Sequence, residues 1–249
     1  MKTNLSLKTA QAAEVAGIGY EGFRTWLKRG LLKDTGLMTK FYAPDAPAEL
    51  ADAKRWRWAA FGYADLCSFR LAKNLLDAGL LWETVNPIVS NYSLWKSHQE
   101  TDPDNRYLVI YAGATEWCTY TSDELVAELD SETRRPDWAI LIDLKKLRKD
   151  VVLRSRSAAL RAVAAEIKKS SHLSVRSGPN LLPPQEASER RAIIESVADD
   201  IAQLATEAEQ GGASYRMFDA RLKQLHGLGM FAENSAISAV AQAFHAECD

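Results

Sequence analysis

LKTAQAAEVAGIGYEGFRTWLKRGLL (residues 7–32), resumed by KRWRWAAFGYADLCSFRLAKNLLDAGLLWETV (residues 54–85), is the stretch on which the reading of this chain turns. Its first half reads as helix, tight turn, helix. Ala10, Ala13 and Val15 mark the inner side of a short first helix, and Ser6 or Thr9 can cap it. Gly17-Ile18-Gly19 supplies the turn, because glycine accepts positive φ at no steric cost. The second helix is expected over Tyr20–Arg29, with Phe23, Trp26 and Leu27 at i, i+3, i+4 on one face. That spacing leaves Tyr20, Glu21, Arg24, Thr25 and Lys28 facing outward. A short helix, a glycine turn and a second helix with a polar, cationic outer face form a common DNA-reading unit.

The continuation sharpens this reading. Arg29-Gly30-Leu31-Leu32 ends the second helix. Lys33 to Arg57 is rich in turn residues (Asp34, Gly36, Pro44, Pro47) and is expected to be a wing, with strands near Met38–Tyr42 and Lys54–Trp58. In the second of these, Arg-Trp alternation puts cations on one face and aromatics on the other. Phe61-Gly62-Tyr63-Ala64-Asp65-Leu66 then opens a third helix, Tyr63–Gly79, with Leu66, Phe69, Leu71, Leu75 and Leu76 on its apolar side. A fourth helix, Leu81–Val89, is bent or ended by Pro87.

This order of motifs resembles the MerR (mercury-resistance-regulator) family of winged helix-turn-helix proteins. In that family an Arg-x-Gly-Leu closes the recognition helix, a wing follows, and an aromatic-Ser/Thr-x-x-Asp-Leu motif starts the third helix, which ends in Gly-apolar. Here Gly62 replaces the usual hydroxyl residue, Ala59 falls where Arg is often found, and the wing segment is longer. The resemblance covers about the first third of the chain. It implies a DNA-binding regulator, and dimerisation, because such proteins bind two half-sites symmetrically. The residues expected to touch DNA are Thr9, Tyr20, Glu21, Arg24, Thr25, Lys28 and Arg29 around the recognition helix, Lys40, Lys54, Arg55 and Arg57 in the wing, and Arg70 on the third helix. Arg24 can read guanine or hold a phosphate, while Lys28 and Arg29 suit phosphates. The alternative for these cations is a solvated helix face. The flanking motifs favour DNA.

The 249 residues allow one large domain or two small ones. Net charge is −2, so no overall basic excess flags nucleic acid. The charges are nevertheless segregated. Residues 84–132 carry 2 Lys and Arg against 9 Asp and Glu, and residues 133–176 carry 12 against 4, so a basic surface can exist on a neutral chain. Cys67, Cys118 and Cys248 have no metal-ligand spacing and are odd in number, which fits a reducing cytoplasm. No apolar run approaches a membrane span, and no signal-peptide core opens the chain.

Beyond residue 89 the pattern changes. Tyr107–Tyr111 and Glu116–Thr121 read as strands of a small antiparallel sheet, Trp138–Leu144 as a third strand or a strand running into a helix, and Ser122–Leu129 as a short helix capped by Ser122. Lys145 to Arg176 is strongly basic, with an amphipathic helix expected from Ser157 to Lys169. It is either a solvated face balancing the acidic segments or an auxiliary nucleic-acid surface. Residues 174–184 have linker composition. Glu186–Glu209 reads as a long helix with Ile193 or Ile194, Val197, Ile201, Leu204 and Ala208 near a heptad seam, suited to internal packing or to a dimer coiled coil. Gly211-Gly212 breaks it, and helices follow at Ser214–Leu225 and from Asn234.

The expected fold is α+β and mainly helical: an N-terminal winged helix-turn-helix (1–89), a central small antiparallel sheet with a basic helix (90–176) and C-terminal helices (185–249). The expected function is sequence-specific double-stranded DNA binding as a homodimeric transcriptional regulator, open to a small-molecule or protein effector. The alternative is an excisionase-like architectural or recombination accessory protein of a mobile element. No cofactor is expected. Nor is an enzyme: His98, His172, His226 and His245 show neither i, i+4 pairing nor metal spacing, and Asp143 has no catalytic partner.

Overall fold

The computed structural model describes residues 5–31, 60–91, 94, 107–111, 116–131, 139–174, 184–227 and 235–245. Over these the chain is mainly helical, with two small sheets. It divides into two units, one made chiefly of residues 8–151 and the other chiefly of residues 152–247.

The described chain opens with strand β1 (Ser6–Lys8) and helix α1 (Thr9–Ala16). Lys8, not Ser6 or Thr9, is the N-cap residue, and its own N–H donates to Gln11 Oε1 at 3.0 Å. Ala12, Ala13, Val15 and Ala16 are buried and Ala10 is exposed, so the inner face lies to one side of the expected one. Gly17 ends α1 at φ +77, and Ile18 N–H closes back on Ala13 O at 2.9 Å. This left-handed cap is open to glycine without strain. Helix α2 (Tyr20–Lys28) follows at once, with Phe23 and Leu27 fully buried. Trp26 is only half-buried. Gly30, at φ +85, turns the chain so that Leu31 N–H reaches Trp26 O, and Leu31 drops into the core.

Strand β2 (Ala60–Gly62) pairs with β1 and leads into helix α3 (Tyr63–Asp77). The Phe61-to-Asp65 motif caps α3 from within: Gly62 N–H donates to Asp65 Oδ2 at 2.7 Å. A carboxylate in the first helical turn also complements the helix dipole. The same motif places Phe61 against α2. Phe23, Phe61 and Phe69 meet edge to face with centroids 4.7–5.8 Å apart, a geometry that aligns ring edges with ring faces. Helix α4 (Trp82–Val89) packs on α3 and holds Pro87 inside its last turn; the helix runs on to Val89, and Ser90 N–H still donates to Asn86 O at 3.0 Å.

Strands β3 (Tyr107–Tyr111), β4 (Trp117–Tyr120) and β5 (Ala139–Asp143) form an antiparallel sheet in the order β4-β3-β5. The central strand is buried through Leu108, Val109 and Ile110, and Val109 faces Cys118 on one side and Leu141 on the other. Helix α5 (Ser122–Leu129) is capped by Thr121 instead of Ser122. Thr121 Oγ1 accepts from Glu124 N–H at 3.1 Å, while Glu124 Oε2 accepts from Thr121 N–H at 2.9 Å. The pairing needs Glu three residues after the cap, which Thr121 has and Ser122 lacks.

Helix α6 (Leu144–Ser174) starts directly at the end of β5, with Asp143 Oδ1 accepting from Lys146 N–H at 2.9 Å. Of the two readings of residues 138–144, a strand running into a helix is the one seen, and the amphipathic stretch expected over Ser157–Lys169 lies within the same helix. Lysines crowd its first turns, and Leu144, Leu147 and Val151 are buried beneath them at helical spacing. The division between the two units falls inside α6, between Val151 and Val152.

The second unit adds helices α7 (Pro184–Glu209), α8 (Tyr215–Gly227) and α9 (Ser235–His245). The α7 seam is buried within the chain through Ile194, Val197, Ala198, Ile201, Leu204, Ala205 and Ala208, whereas Ile193 faces solvent. Gly211, at φ +80, turns the chain from α7 toward α8. Phe218 and Phe244 stack at 6.4 Å, and Arg221 pairs with Asp200 at 3.2 Å.

Candidate nucleic-acid interface

The buried Phe23 and Leu27 fix which way α2 turns its other side chains. Glu21, Gly22, Thr25, Lys28 and Arg29 are exposed, and Tyr20 and Arg24 are half-buried at the edge of the same face. The row holds itself in place by local contacts. Arg24 donates to both oxygens of Glu21 at 3.2 Å and lies over the Tyr20 ring, 5.8 Å from its centre. Thr25 Oγ1 donates to Glu21 O at 3.0 Å. An exposed i, i+3 ion pair contributes about 0.3–0.5 kcal/mol, so a phosphate or base edge can displace Glu21 from Arg24 at little cost. The face then offers guanidinium, ammonium and hydroxyl donors, and one carboxylate acceptor able to take a cytosine amino group.

Arg29 sits differently from Lys28. Its guanidinium stacks over the Trp82 ring at 4.5 Å, and Trp82 meets Trp26 edge-on at 5.9 Å. The stack fixes the guanidinium plane while leaving its N–H edges available. Trp82, at the start of α4, is the residue that sequence reading missed. Nothing in its own neighbourhood signals the contact, because its partners lie more than fifty positions away.

Two of the residues expected at DNA are placed inward. Thr9 is 1% exposed, so its hydroxyl is turned into the protein. Arg70 is drawn inward: Nε donates to Asp150 Oδ2 at 2.9 Å and Nη1 to Ala16 O at 3.2 Å, at the end of α1. It braces the turn between α1 and α2 instead of presenting an open cation. Lys40, Lys54, Arg55 and Arg57, with the rest of the expected wing, lie outside the described residues.

A second polar group sits on the sheet. Tyr111 Oη hydrogen-bonds Tyr120 Oη and reaches Glu128 Oε1 at 3.4 Å. Burial pushes both phenols above their ordinary value. For Tyr120 the bond to Tyr111 adds to the rise; for Tyr111 the bond to Tyr120 offsets part of it. Both therefore stay neutral through the physiological range and act as hydrogen-bonding groups. Among the described residues no cluster of His, Cys, Asp and Glu is placed to hold a metal, and no helix is long and apolar enough to cross a membrane. Cys67 is buried and Cys118 exposed, and neither is in a disulfide.

No protein-family model, curated protein or solved structure matches this chain.

Proposed function

We propose that this chain is a sequence-specific double-stranded DNA-binding protein, a transcriptional regulator that works as a dimer in the cytoplasm. Its N-terminal segment is read as a winged helix-turn-helix. The observation that carries the reading is the outward face of α2, where Glu21, Arg24, Thr25 and Lys28 project from a helix clamped by Phe23 on the Phe61 and Phe69 rings. A rigid helix with an exposed donor-rich face, entered through a glycine turn, is what a major groove admits. In this reading Arg24 exchanges Glu21 for guanine O6 and N7 or for a phosphate. Lys28 and the stacked Arg29 neutralise the backbone, and the wing cations Lys40, Lys54, Arg55 and Arg57 hold the adjacent strand. The residues after α4 sense an effector or join protomers. Because the α7 seam is filled within the chain, a dimer through the second unit uses another surface, such as that bearing Ile193 or Met217, which are 47% and 43% exposed.

The test is selection of bound fragments from genomic DNA with the full chain, followed by titration of the recovered duplex. Arg24→Ala is expected to weaken specific binding by about 1–3 kcal/mol while leaving binding to scrambled duplex nearly unchanged. Failure to bind any duplex at low salt overturns the proposal. Footprints at several sites around a recombination end, instead of one promoter operator, turn it into the architectural alternative.

A further inference from the structure

Resting on the DNA-binding reading, we propose that Lys145, Lys146 and Lys149 form a second cationic surface, which grips the phosphate backbone beside the groove entered by α2. All three are exposed on the first two turns of α6, and none is in an ion pair among the described residues. Their neighbour Arg148 is turned inward and donates to Leu144 O, so the outer face is made by the lysines.

Three observations place and interpret this patch. First, the next residue, Asp150, is tied through Arg70 to the last carbonyl of α1, at Ala16. The approach is tight: a Cβ at Gly17 would fall 2.8 Å from Arg70 Nη1. The start of α6 is thus anchored at the turn from which α2 enters a groove, and Lys146, four residues before Asp150, lies on the same helix face about one turn, roughly 5–6 Å, away. In helix-turn-helix docking the first helix crosses the backbone, so phosphates flanking the groove run past this turn. Second, Lys145 and Lys146 lie in the first turn of α6, where cations oppose the helix dipole and the carboxylate that caps the turn, Asp143, accepts a backbone N–H; a bound phosphate suits both the dipole and the lysines. Third, the later cations of the same helix bind within the protein. Arg156 holds Ala243 O and Phe244 O, Arg161 holds Glu209, and Lys168 holds Asp199.

The patch carries no pattern of acceptors for base edges, so its contribution is affinity and salt dependence, not sequence choice. The experiment uses the full chain, fluorescence anisotropy and a selected genomic duplex across a potassium chloride series. The variant Lys145→Gln, Lys146→Gln, Lys149→Gln is expected to bind about 10- to 100-fold more weakly near 0.1 M salt. Its log–log salt slope should fall by about 2–3, near 0.9 per lost phosphate contact. Preference for the selected over a scrambled duplex should stay within about twofold. The matching triple arginine variant should restore the slope, which separates charge from folding. Unchanged affinity and slope in the glutamine variant, with wild type binding normally, overturn this inference and leave the α2 reading standing. Lost sequence preference, or tighter binding of a single strand of equal length, also overturns it. If wild type binds no duplex, both readings fall.

Discussion

From Lys145 to Lys149, helix α6 turns its lysines out to solvent; from Arg156 to Lys168, the same helix spends its cations on other helices. Composition does not distinguish the two stretches. What differs is the supply of acceptors. In the second unit, α9 ends with carbonyls that need donors, and α7 presents Asp199 and Glu209 across from α6. At the start of α6, Asp143 takes a backbone N–H and Asp150 pairs with Arg70. A basic run is therefore not one feature: its far part is tied to other helices and its near part is exposed.

The contrast breaks most visibly at Arg156. Its Nε and Nη2 each lie 3.2 Å from the Ala243 and Phe244 carbonyls, and its guanidinium covers the Phe244 ring at 5.6 Å. Arg156→Met keeps most of the stem but removes both donors, and is expected to lower stability by about 2–3 kcal/mol in urea unfolding followed by helical circular dichroism. Duplex affinity should not change. A loss of salt slope in this variant would mean that the far cations also meet DNA.

Arg70 gives a smaller effect and a sharper one. Arg70→Met removes a partly exposed ion pair and a bond to Ala16 O, so a loss of about 1–2 kcal/mol is expected. Binding should weaken through looser bracing with the salt slope unaltered. A slope reduced by about 1 would show that Arg70 itself meets a phosphate.

The smallest effect is at Glu209. Burial acts to raise its carboxyl, but the bond and charge of Arg161, with the Ser157 hydroxyl, outweigh burial and hold it below the ordinary range. A depressed carboxylate stabilises the fold above its unfolded value and loses that contribution as pH falls through the folded one. The advantage of wild type over Glu209→Gln, under about 1 kcal/mol for a pair so exposed, should be whole at neutral pH. It should disappear as pH drops below the ordinary value of 4.5. Persistence of the full difference at pH 3 would show that shape, not charge, sets it.

Much of the local structure was legible because its causes are local. The glycines at 17 and 30, the Gly62–Asp65 cap, the limits of β3 and α5, and the stop at Gly211 follow from backbone preference and short-range hydrogen bonding. Within the candidate site, the exposed row Glu21, Thr25, Lys28 follows from the spacing of Phe23 and Leu27. Other readings went astray where an alternation or a charge had two solutions. Ile193 and Ile194 fit the seam equally on paper, and only the packing of α7 chose Ile194. The first turns of α6 carry a weak apolar signal, because Lys145, Lys146 and Lys149 stand among the Leu144 and Leu147 that bury beneath them.

The sequence alone determined where the chain turns and which stripe of each short helix is apolar, since those depend on residues within a few positions of one another. Tertiary structure decided the partners of the charges: Arg70 with Asp150, Arg29 on Trp82, Arg156 at the end of α9. Long side chains reach whatever acceptor the fold brings near, and that acceptor lies more than fifty residues away in each case.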